Sequence, residues 1–127
     1  MRKFLVVFAT FAFALALAGP VSAATETVTG KVIDQSCYKA DNSNTGVDHK
    51  MKSGEVKDCA IACAKKGRPL ALLTTDGKVY TIAGGLAAEN NAKLVPHVSH
   101  TVTITGDVVT KDASMTITSD ALKMVSR

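Results

Sequence analysis

Apolar and polar residues alternate with a period of two toward both ends of the chain, the pattern of strands with one buried face. Thr25 to Asp34 (TETVTGKVID) and His100 to Thr110 (HTVTITGDVVT) carry it most clearly. Two further runs, Leu70 to Thr74 and Lys78 to Ile82, flank Asp76-Gly77, where glycine accepts the positive φ of a tight hairpin turn. Ser114 to Ser119 and Leu122 to Ser126 add a last strand, broken near Asp120, which gives five principal strands. One short helix is well punctuated between the first two strands. Asp58 caps it, Cys59 to Lys66 form it, Gly67 ends it and Pro69 prevents its continuation.

Two stretches lack a clear period. Tyr38 to Lys57 is polar and rich in Asn, Ser, Lys and Gly, and at about 20 residues it exceeds an ordinary connection, so it reads as an exposed functional loop. Ala83 to Leu94 holds Gly84-Gly85 and then Leu86-Ala87-Ala88-Glu89, a loop with room for one helical turn. Val28-Thr29-Gly30-Lys31-Val32 is echoed by Ile104-Thr105-Gly106-Asp107-Val108. A glycine in the middle of a strand is costly unless the strand bends sharply or a neighbour comes close, and the corners of a small closed barrel require both. The expected fold is mainly β: a five-stranded barrel like the OB fold, with the first and fourth strands paired and one short helix between the first two. A β-sandwich is the alternative.

The start of the chain has a different character. Arg2 and Lys3 precede an uncharged apolar run from Phe4 to Gly19, Pro20 follows, and Val21-Ser22-Ala23 places small residues where a signal peptidase needs them. Residues 1–23 are therefore expected to be a cleaved export signal, with cleavage after Ala24 as a near alternative. The run is shorter than the roughly 20 residues that span a bilayer, and no cysteine follows the cut to carry a lipid. The expected location is periplasmic or extracellular, without a stable membrane anchor.

Removing 23 residues from 127 leaves 104, which suits one domain. All four phenylalanines leave with the leader, so Tyr38 and Tyr80 are the last aromatic residues and the core falls to Val, Ile, Leu, Ala and Met. Net charge falls from +4 to +2 when Arg2 and Lys3 are lost. Without a basic groove or stacking platforms, nucleic-acid binding is excluded, and carbohydrate stacking is disfavoured for the same lack of rings. Lys65-Lys66-Gly67-Arg68 is explained as a helix end, where cations meet the negative pole of the helix dipole.

Chemistry concentrates between Cys37 and Cys63. Cys59 and Cys63, four residues apart, lie on one helical face, and Cys37 ends the first strand. With His49 they make a Cys3His set of the kind that closes around zinc or captures monovalent copper, and Met51 would add a soft donor for copper. The competing reading is a disulfide staple from Cys37 to Cys59 or Cys63, which would contribute about 3 kcal/mol by closing a loop of roughly 20 to 25 residues. An odd cysteine then remains, buried, free or pairing two molecules, so the chain is a monomer unless that thiol links a covalent dimer. Thiol redox catalysis is disfavoured because Cys-x2-Cys is absent and Asp58 opposes a thiolate at Cys59. Asp34 caps the segment leaving the first strand, or orients a ligand from behind.

Gly30-Lys31-Val32-Ile33-Asp34-Gln35-Ser36-Cys37, then His49, then Cys59-Ala60-Ile61-Ala62-Cys63 and Gly67 resemble the pattern of a group of small exported bacterial domains without an assigned activity. The resemblance covers most of the chain after the leader, although the interval from Cys37 to His49 is longer here. It implies a small β-barrel envelope protein and a candidate site, but no reaction.

His97 and His100 form a His-x2-His pair before the fourth strand. In extended chain this spacing puts the rings on opposite faces, so they are expected to be two partly exposed histidines unless a turn, which Pro96 permits, brings them together. Gly-x-Ser-x-Gly, phosphate-loop and His-Glu-x2-His motifs are all absent. The expected function is a non-enzymatic exported binding module whose Cys/His loop takes a soft metal and whose partner is a protein or small ligand. The alternative is a structural or interaction protein of the envelope, stapled by a disulfide.

Overall fold

The structure is a computed structural model that describes residues 23–46, 49–50, 56–57 and 59–127, with the side chains of 49–50 and 56–57 outside the description. Residues 1–22 of the expected leader, Met51 and Asp58 therefore lie outside the described residues. The barrel is built from β1 (Ala23–Asp34), β4 (Leu70–Leu73), β5 (Val79–Ala83), β6 (Thr101–Lys111) and β7 (Ser114–Thr118). Two two-residue strands, β2 (His49–Lys50) and β3 (Val56–Lys57), pair only with each other. β8 (Lys123–Ser126) is a sixth member of the main sheet.

Strands run in the order β1-β4-β5-β7-β6, and β6 closes back onto β1. All pairings in this ring are antiparallel except β5 with β7. This is the expected five-stranded OB-like barrel, with its first and fourth barrel strands paired over nine positions from Ala23↔Val109 to Lys31↔Thr101. The break near Asp120 separates two strands: β7 closes the barrel, while β8 adds to β6 only at Thr101, Val102 and Thr103. No helix among the described residues is long and apolar enough to cross a membrane.

Alternation sorts the β1–β6 pair into two faces. Val28 and Ile104 stand opposite each other and are buried, and Val32, Val102 and Val108 extend the same inner face. On the outer face, Thr27 pairs with Thr105 at 2.8 Å, Thr29 with Thr103 at 2.7 Å, and Thr25 Oγ1 donates to Asp107 Oδ1 at 2.8 Å. Leu70, Leu72, Tyr80, Ile82, Leu86, Leu94, Val98 and Ile117 join the core with Ala60 and Ala64, and among the described residues Tyr80 is its one aromatic side chain.

The helices differ from expectation at one place. α2 (Cys59–Lys65) matches the helix read from the sequence, but the chain leaving β1 also coils, into α1 (Gln35–Ala40). Cys37 is thus on a helix and not at a strand end. The physical reason is Asp34, whose side chain accepts the Cys37 amide and satisfies a donor that a helix start leaves open. The glycine pair opens a 3-10 turn, Gly84–Leu86, followed by α3 (Ala88–Asn91), whose Glu89 and Asn90 have positive φ.

Candidate functional site

Asp34 is the last residue of β1 and the first support of the site. It is 2% exposed, and its Oδ1 accepts the Cys37 amide at 2.8 Å. That contact starts α1 directly after the sheet ends and places Cys37 in its first turn. The other two sulfurs come from α2, where the four-residue spacing keeps Cys59 and Cys63 on one face. α2 is anchored by Ala60 and Ala64, both buried in the core, and the helix packs against β1.

At the other end of α2, Gly67 adopts φ 77° and its amide donates to the Ala64 carbonyl at 2.9 Å, while the Arg68 amide donates to the Cys63 carbonyl at 3.2 Å. The buried Asn91 completes this end, its Nδ2 donating to the carbonyls of Ala64 and Arg68, both at 2.9 Å. Sequence reasoning missed Asn91. Its signal in the sequence was faint, the pair Asn90-Asn91, since asparagine tolerates better than most residues the positive φ that Glu89 to Asn91 adopt.

Cys37, Cys59 and Cys63 present sulfur atoms that all lie within 4.8 Å of one another. All three are partly buried and none is bridged, so the expected staple from Cys37 to Cys59 or Cys63 is not the state in which the structure holds them. Burial, then the charge of Asp34, then the neighbouring Cys59 and Cys63 push the Cys37 thiol up to about 12. Cys63 is raised as well, by burial first and then by Asp34 and Cys59, with Arg68 pulling the other way. Thiols so held are protonated near neutral pH and are poor nucleophiles. Asp34 thus caps a helix, and its charge bears on the Cys37 and Cys63 thiols.

Three sulfurs at this spacing suit one ion. A tetrahedral centre with sulfur bonds of about 2.3 Å spaces its thiolates at about 3.8 Å, inside the 4.8 Å limit that all three sulfur pairs meet. Asp34 Oδ2 is buried beside the cluster without a hydrogen-bond partner. Of the fourth expected ligand, His49, the structure describes the backbone, paired with Lys57 in the small hairpin; its side chain lies outside the described residues.

No protein-family model, curated protein or solved structure matches the chain. The site must be read from its own geometry.

A second side of α1 faces a cleft of about 290 Å³ lined by Gln35, Tyr38, Lys39, Asn42, Thr81 and Met115 among others. Gln35 Nε2 donates to Thr81 Oγ1 at 2.8 Å and ties α1 to β5. The same helix therefore carries one sulfur of the cluster and one wall of a cleft open to solvent.

Proposed function

We propose that this protein is a small exported β-barrel module that binds one soft metal ion, zinc or monovalent copper, through Cys37, Cys59 and Cys63, with His49 as fourth donor. The single observation that carries the reading is the convergence of three unbridged sulfurs within 4.8 Å, drawn from two helices, α1 capped by Asp34 and tied to β5 through Gln35, and α2 anchored by the buried Ala60 and Ala64. Soft thiolates select zinc and monovalent copper over magnesium or calcium. The role is binding and not catalysis: protonated thiols favour a site that opens only when a metal displaces the protons. Export rests on the charged start, apolar run and small-residue cut of the first 23 residues.

The test is metal uptake by reduced protein, read by elemental analysis together with a thiol count. About one equivalent of zinc or copper is expected, abolished by Cys59→Ser and by Cys63→Ser and weakened by His49→Ala. Uptake that persists unchanged in both serine variants would overturn the reading. Protein from its native compartment with one thiol, a mass lower by two hydrogens and no metal would do the same, and would make the cysteines a staple.

A further inference from the structure

Two buried ring nitrogens lack partners at the start of β6. His97 closes the 3-10 turn Val95–His97, with Pro96 inside it, and the His100 amide donates to the His97 carbonyl at 2.9 Å. Ser99 between them has φ 71°, so the chain does not run extended. The turn brings together rings that an extended chain would separate: their centres are 6.0 Å apart and their planes meet at 74°. β1 holds the segment, since the Val32 amide donates to the His100 carbonyl at 3.0 Å and the Ser99 amide to the Val32 carbonyl at 2.9 Å. Val98, between the two histidines, is buried in the core.

The Nδ1 atoms of both His97 and His100 are buried without a hydrogen-bond partner. Buried polar atoms in folded proteins are nearly always satisfied, and an unsatisfied one calls for a cause, a bound ion or water among them. Here two occur together on neighbouring rings. A neutral imidazole carries one proton and one lone pair, so with the proton on Nε2 each ring offers Nδ1 as a donor atom for a metal. No existing hydrogen bond has to break for either nitrogen to bind.

The spacing fits a shared ion. A ring nitrogen lies about 1.1 Å from its ring centre and an imidazole–metal bond is about 2.0–2.1 Å, so one shared ion sets the ring centres about 5 Å apart at a tetrahedral angle and about 6.4 Å apart when the rings oppose. The observed 6.0 Å falls inside that range, toward the opposed arrangement. We propose that His97 and His100 form a second, all-nitrogen metal site for a late first-row transition ion. Copper heads the affinity order for such donors. The site uses none of the three cysteines, and it stands or falls independently of the thiol cluster.

The experiment uses a variant with Cys37, Cys59 and Cys63 all changed to serine, titrated with cupric ion by calorimetry. One equivalent is expected to bind, and His97→Ala or His100→Ala added to that variant weakens it at least tenfold. Failure to bind, or binding indifferent to both histidine changes, overturns the proposal. Should the serine variant fail to fold, imidazole nitrogen NMR on the wild-type protein decides. Zinc ion added beyond the first equivalent shifts Nδ1 of both His97 and His100 if they share it, and unmoved signals overturn the site. The chain has three histidines, so the signals are few.

Discussion

One oxygen of Asp34 starts a helix while the charge of the same carboxylate bears on the thiols, and substitution separates the two effects. Asn retains the oxygen that accepts the Cys37 amide and removes the charge; Ala removes both. In Asp34→Asn the midpoint of Cys37 alkylation against pH moves down, because one cause of its rise to about 12 is gone, while the fold keeps its cap. Asp34→Ala moves the midpoint likewise and also lowers stability by about 1 kcal/mol, the usual worth of an N-cap. An unmoved midpoint in both variants would show that the carboxylate does not act on the thiol. The raised Cys37 also makes a pH prediction, whose sign follows from proton counting. Between the ordinary 9.0 and about 12 the unfolded chain has released a proton that the folded chain keeps, so the contribution is complete below pH 9 and is lost as pH rises toward 12. Above pH 9 the melting temperature of metal-free wild type falls more steeply than that of Cys37→Ser; parallel curves would contradict it. The three cysteines were legible at this scale because their spacing alone puts two on one helical face. The cap at Asp34 was legible, but the helix it starts was not, because a six-residue helix leaves almost no periodicity to read.

Among the elements, α2 determines whether the sulfurs meet, and its far end hangs on Asn91. Truncating Asn91 takes the side-chain donor from the Arg68 carbonyl and the second donor from the Ala64 carbonyl, which keeps the Gly67 amide, a loss of about 1–3 kcal/mol. Asn91→Ala is therefore expected to lower denaturant stability by that amount and, by loosening the end of α2 that carries Cys63, to weaken metal uptake without removing a ligand. Asn91→Asp keeps the size but replaces the donor with an acceptor facing two carbonyls, and should be worse than Ala. Equal uptake and stability in all three proteins would show that α2 holds its place by its alanines alone. The helix itself was plain in the sequence, since Gly67 and Pro69 mark its end and Ala60 and Ala64 mark its buried face. Its anchor was not, because Asn91 lies 27 residues from Ala64 and no local pattern links them. The same limit hid the histidine turn: three-residue spacing in extended chain separates the rings, and only the positive φ of Ser99 and the pairing with Val32 bring them together.

Closure of the barrel explains why two glycines interrupt its two longest strands. β1 pairs with β6 through Lys31 and begins to pair with β4 at that same residue; β6 pairs with β1 through Val109 and picks up β7 at Asp107. Gly30 and Gly106 stand one residue before each handover. A Cβ on Gly30 would lie 2.8 Å from the Leu73 carbonyl oxygen, and one on Gly106 would collide with the Thr118 carbonyl, so in both cases the neighbouring backbone occupies the side chain's place. The faint echo between the two segments has the same origin. The antiparallel pairing places a local two-fold at Val28 and Ile104 that relates Gly30 to Gly106, each two residues further along its own strand, and each strand meets the same demand at its own corner. That is why alternation and two mid-strand glycines sufficed to read a closed barrel with its first and fourth strands paired, whereas the extra strand β8, with every residue exposed and only three partners on β6, could not be told from a continuation of β7. Overpacking of a backbone contact costs typically about 1–3 kcal/mol. Gly106→Ala is expected at or above the top of that range and Gly30→Ala below it, because the Gly106 approach is the closer. Urea unfolding followed by far-UV circular dichroism measures both. A Gly106→Ala protein as stable as wild type would mean that β6 and β7 separate there without loss, and that the ring of five strands is not closed at this corner.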